Sequence, residues 1–102
     1  MINLLEETLT ALEAIGRAPE DVKFIASFYV KTDWKHFALN ANFDYDNDFG
    51  TQIINNGLMI VGDNWWLERS EYDGAEGWDF KEIPKGDFLR IAKPHEVMDM
   101  IR

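Results

Sequence analysis

The chain has 102 residues, 46% of them hydrophobic and 14% aromatic, no cysteine, two histidines and a formal charge of −9. Without cysteine there is no disulfide, thiolate chemistry or Cys-ligated zinc, and the apolar share excludes a disordered acidic tail. The length fits one domain, residues 1–102, whose folding removes roughly 60% of the unfolded chain's surface from water.

Residues 3–15 read as an amphipathic helix. Leu4, Leu5, Thr8, Leu9, Leu12 and Ile15 follow a 3.6-residue period, while Glu6, Glu7 and Glu13 fall mostly off that stripe. Asn3 is a suitable N-cap with Glu6 three residues on, and Gly16 is the expected stop. This opening segment has no leading basic residue, so it does not read as a signal peptide, and no apolar run in the chain approaches the length of a membrane span. A soluble cytoplasmic protein is the expectation.

Val22–Lys31 reads as one continuous strand, with Phe24, Ala26, Phe28 and Val30 on its core face. Thr32 is expected to cap a second helix, in which Trp34, Phe37, Ala38 and Ala41 form the apolar stripe and His36 lies off it, at the surface. Asp44, Asp46 and Asp48 have the spacing of the start of a calcium-binding EF-hand loop. The required glycine would fall at Phe49 and the closing glutamate at Asn55, so the segment reads as a solvated acidic face alternating with Phe43, Tyr45 and Phe49, and no metal site is expected. Residues 51–56 fit either a short strand or a helical turn.

The second half of the chain is expected to carry most of the sheet. Leu58–Val61 reads as a buried strand and Gly62-Asp63-Asn64 as a tight connection. From Trp65 to Tyr72 the alternation puts Trp65, Leu67, Arg69 and Glu71 on one face and Trp66, Glu68, Ser70 and Tyr72 on the other. Each face then has an apolar and a charged end, as in a hairpin arm that projects past the core. Asp73–Gly77 is the turn and Trp78–Ile83 the partner strand, ended by Pro84. Phe88–Ile91 fits one more short strand. Pro94 opens a C-terminal helix, with His95 at its surface and Val97, Met98 and Ile101 packing inward. The architecture expected is α+β: an antiparallel sheet of three to five strands, with the N-terminal, middle and C-terminal helices packed mainly on one face.

Residues 44–87 hold eleven acids against Arg69, Lys81 and Lys85, a net of −8, whereas residues 1–43 carry −2 and residues 88–102 carry +1. That field disfavours direct contact with nucleic-acid phosphates and attracts a basic protein. No nucleophile–base pair, glycine-rich phosphate loop or cofactor motif is visible, so neither catalytic residues nor cofactors are expected. The candidate binding residues are Trp65, Trp66, Arg69, Glu71, Tyr72 and Trp78, because Trp, Tyr and Arg dominate binding hot spots. The reading is a non-enzymatic protein-binding domain using the hairpin of residues 57–84, compatible with homodimerisation through a sheet edge or exposed aromatics. The alternatives are an acidic nucleic-acid mimic that blocks a DNA-binding host protein, and a small sugar-binding or hydrolytic module using the same carboxylates and indoles.

The pattern W-W-L-E-R-x-E-Y-D-G-x-E-x-W-x-F at Trp65–Phe80, with T-D-W-K-x-F at Thr32–Phe37 and Asp48-Phe49-Gly50, resembles small acidic proteins encoded by phages, prophages and mobile elements of Gram-positive, often gut-dwelling, bacteria. The likeness covers roughly residues 20–84. It implies a mobile-element origin and nothing catalytic.

Overall fold

The computed structural model describes residues 1–48, 52–87 and 89–102. Strand β1 (Ile2–Asn3) leads into helix α1 (Leu4–Ala14). A 3-10 turn at Pro19–Asp21 precedes β2 (Phe24–Ser27), β3 (Val30–Thr32), helix α2 (Trp34–Ala41) and β4 (Asp44–Tyr45). Then come β5 (Leu58–Val61), β6 (Trp65–Tyr72), β7 (Ala75–Glu82), a 3-10 turn at Pro94–Glu96 and helix α3 (Val97–Ile101). The main sheet is antiparallel in the order β3-β2-β5-β6-β7, and β1 and β4 form a separate antiparallel pair. This is the expected α+β class.

The caps explain where α1 begins and ends. The Asn3 side chain accepts the Glu6 N–H at 3.0 Å. At the other end Gly16, with φ of +72°, lets its own N–H reach the Glu13 carbonyl and the Arg17 N–H reach that of Leu12. Helix α2 is capped one residue later than the sequence suggests. Asp33, not Thr32, accepts the His36 N–H at 2.9 Å. The same carboxylate meets His36 Nδ1 at 2.7 Å, and these bonds from His36 hold the Asp33 pKa below the usual carboxylate value.

The expected strand over residues 22–31 is in fact a tight hairpin. Ser27 pairs with Val30, and Phe28 and Tyr29 make the turn, Phe28 at φ of +51°. A bulky residue in the left-handed region is uncommon. Its ring lies against Gly57, where an added Cβ would meet it at 2.8 Å. The hairpin also reverses the expected faces: Ile25 is buried, while Phe28 and Val30 are exposed and Phe24 and Ala26 half-buried.

Register fixes which side chains share a face. Ile25 pairs with Ile60, Ile60 with Leu67 and Leu67 with Phe80. Ile25, Ile60 and Leu67 of this row join Leu4, Leu12, Phe37, Ala41, Tyr45, Ile54 and Trp65 in one core, while Phe80 at its outer end is exposed. Residues 52–56 contain neither strand nor helix; the part of that expectation resting on Thr51 lies outside the described residues, as does the calcium-loop comparison at Phe49 and Gly50. Leu89–Ile91 forms no strand, and Phe88 lies outside the described residues. Val97, Met98 and Ile101 do not pack inward: all three are exposed and α3 has no buried residue. The C-terminal segment is held locally by the Arg90 guanidinium on the Glu96 carboxylate at 2.8 and 2.5 Å. No helix among the described residues is long and apolar enough to cross a membrane.

Candidate functional site

The hairpin of β6 and β7 is the longest ladder in the sheet, running from Trp65 opposite Glu82 to Tyr72 opposite Ala75. Asp73 and Gly74 turn it, with φ of +54° and +89°. Two consecutive positive φ angles are the mark of a type I′ turn, which Asp-Gly favours. The turn is thus two residues long, shorter than the expected Asp73–Gly77, and β7 starts at Ala75.

On the helix side the arm does not project freely, because a charged cluster anchors it. The Arg69 side chain is completely buried, its Nη1 at 3.3 Å from Glu7 Oε1 and its Nη2 at 3.4 Å from Glu76 Oε1. Arg69 Nη2 also donates to the Tyr45 hydroxyl at 2.8 Å, and that hydroxyl donates to Glu7 Oε1 at 2.6 Å. The guanidinium lies over the Trp78 ring, 4.7 Å from its centroid. Trp78 Nε1 in turn donates to Thr8 Oγ1 at 3.1 Å. Burial and the bond to Glu7 push the Tyr45 pKa up to about 12. A buried charge without a partner is costly, so every member of this cluster depends on the others. It ties α1, β4, β6 and β7 together.

Glu76 has a second task. Its carboxylate accepts the N–H groups of Ile53 and Ile54, the latter at 3.0 Å, and so holds the segment ahead of β5 against the hairpin. In the sequence Glu76 is only one of the eleven acids between residues 44 and 87. Its position opposite Glu71 across a two-residue turn, facing the same side as Arg69, was the available signal.

Trp65 and Arg69, two of the six candidate binding residues, are therefore interior. Trp65 is 3% exposed, with Arg17 over its ring at 5.6 Å and Gly62 pressed against its edge. Its indole face is occupied and cannot stack on a sugar. A polar cleft of about 450 Å³ beside it is lined by Arg17, Asp63 and Lys85 among others. Glu71 and Tyr72 are exposed at the hairpin tip, Tyr72 at 85%. Trp66 and Trp78 are half-buried, on opposite faces of the sheet.

No family model, curated protein or solved structure matches this chain. What it can bind has to be read from its own surfaces. The sheet face turned away from the helices carries Phe24, Val61 and Trp66 in register across β2, β5 and β6, with Ala26 and Met59 beside them. All five are half-buried. Lys31 lies over the Phe24 ring at 5.5 Å, and Trp66 Nε1 donates to Glu68 at 3.3 Å. Toward the tip the same face continues through Ser70 to Tyr72, with Glu71 and Asp73 exposed beside it.

Proposed function

We propose that this chain is a non-enzymatic protein-binding domain of phage or mobile-element origin, which docks a basic protein on the helix-free face and tip of its β6–β7 hairpin. One observation carries the reading: Trp66 sits half-exposed in a row with Val61 and Phe24 on a face that no helix among the described residues covers, leading to a fully presented Tyr72. An apolar band with an aromatic anchor inside a charged rim is how hot spots are built. Lys31 and Lys81 border Phe24 and Trp66, while Glu68, Asp79, Glu71 and Asp73 make the rim negative toward the tip, which favours a cationic partner there and speeds its approach. The origin rests on the likeness of the Trp65–Phe80 motif.

The test is capture of proteins from bacterial lysate by the immobilised chain, at low and high salt, comparing wild type with a Trp66→Ala/Tyr72→Ala variant. Trp65 is left intact because its loss would damage the core. A protein held by the wild type at both salt levels and lost with the double variant supports the proposal. Retention that ignores Trp66 and Tyr72 but collapses as salt rises would favour nucleic-acid mimicry by the carboxylates. Binding insensitive to both changes would overturn the proposed site.

A further inference from the structure

Strand β7 is an outer strand of the sheet: Asp48 bridges Ala75 on that side, and from Trp78 onward the edge, unpaired among the described residues, is patterned for one specific neighbour. The Glu76 N–H points away from β6, since it donates to the Asn47 carbonyl at 2.7 Å. In an antiparallel ladder this orientation alternates, so the N–H and C=O groups of Trp78, Phe80 and Glu82 point outward as well. Among the described residues none of these three has a backbone partner on that side. The edge contains no proline before Pro84 and no bulge. Exposed edges of this kind are ordinarily guarded by charge. Here the charges have opposite sign, Asp79 and Lys81, and they flank Phe80, which is 39% exposed.

We propose that β7 pairs antiparallel with β7 of a second copy about a two-fold axis through Phe80, joining the two five-stranded sheets into one. Three independent features agree on this register. The outward-pointing residues meet as hydrogen-bonded pairs, Phe80 with Phe80 of the second copy and Trp78 with Glu82 in both directions, giving about six backbone bonds. Asp79 of each chain falls directly opposite Lys81 of the other, in the close pairs where opposite charges attract and like charges repel. The paired stretch is bounded by Trp78 and Glu82: Asn47 and Asp48 of the same chain already cover the edge at Glu76 and Ala75, and Pro84, two residues beyond Glu82, has no N–H to give. The ladder therefore ends where both chains run out of partners. The other outer strand, β3, has three residues and one charge, and offers no such self-complementary register.

The experiment measures oligomeric state by sedimentation equilibrium over a concentration series at low salt. The wild type is expected to approach twice its chain mass, with a midpoint that moves upward as salt is added. Asp79→Lys alone and Lys81→Asp alone each place like charges opposite one another twice and weaken the dimer by about 10-fold or more. An equimolar mixture of the two variants restores it, because every cross-strand pair is again of opposite sign; circular dichroism of each variant alone checks that it folds. Hydrogen exchange supplies a direct readout: the Trp78, Phe80 and Glu82 amides gain protection with concentration, while those of Asp79 and Lys81, bonded to β6, are protected throughout. A monomer at every concentration, single variants that dimerise like the wild type, or a mixture that stays monomeric would each overturn the proposal. The outcome does not depend on whether the helix-free face binds a basic protein.

Discussion

Glu71 and Glu76 stand directly opposite each other across the β6–β7 ladder, yet their carboxylates are turned to different work. Like charges in that position ordinarily destabilise a hairpin. Glu71 reaches round the turn to accept the Gly74 N–H at 2.7 Å, in water. Glu76 is drawn inward to Arg69 and to the amides of Ile53 and Ile54. The pair is tolerated because one member closes the turn and the other belongs to the core.

Glu76→Ala therefore leaves Arg69 short of a partner and strips two backbone amides of their acceptor. A loss of about 3–5 kcal/mol is expected in denaturant unfolding, the range for breaking a buried pair. Glu71→Ala, at the solvent side of the same pair, should cost less than about 1 kcal/mol. Equal effects would show that the cluster does not anchor the hairpin.

Tyr45 links folding to alkaline pH. Its folded-state pKa, about 12, lies above the ordinary value of 10.0, so the fold favours the neutral phenol. That contribution is complete below pH 10 and is lost as pH rises from there through about 12. Tyr45→Phe should flatten the fall in the denaturant midpoint over this window. Spectrophotometric titration of the phenolate bands checks the assignment: one tyrosine should ionise near pH 12 in the wild type and be missing in the variant.

Gly62 is required for space and not for backbone conformation. A Cβ there would overlap the Trp65 ring. Gly62→Ala should destabilise by about 1–3 kcal/mol through overpacking and shift the Trp65 emission, whereas Gly77→Ala, with nothing within 4 Å of its Cβ, should not. An unchanged melting temperature for Gly62→Ala would disprove the close approach.

The C-terminal segment should be dispensable for folding. Leu89, Ile91, Met100 and Ile101 are all exposed, Ile91 at 93%, and the contacts of Arg90 with Glu96 are local. A chain ending at Phe88 is expected to unfold at the same denaturant concentration as the full chain, within about 0.5 kcal/mol. A large loss would mean that the segment packs on the core.

Local signals gave the parts of this fold that depend on neighbours in the chain. Asn3 and Gly16 bound α1 because caps act within one turn, and the hairpin turn was legible in place but three residues too long at Asp73–Gly77, since only Asp73 and Gly74 take the positive φ. Alternation along Trp65–Tyr72 correctly separated the two faces, since the pleat is local too. What alternation could not say is which face the helices cover, or that the one covering Trp65 extends as far as Arg69. The break at Phe28-Tyr29 was hidden for a related reason: nothing in a Phe-Tyr pair asks for a turn, and the Gly57 against which the Phe28 ring lies is distant in sequence. Arg69 looks like a surface anchor in one dimension. Its burial was decided by Glu7, Tyr45 and Glu76, which converge on it from three other elements, because a charge can leave water only where the whole fold assembles its partners.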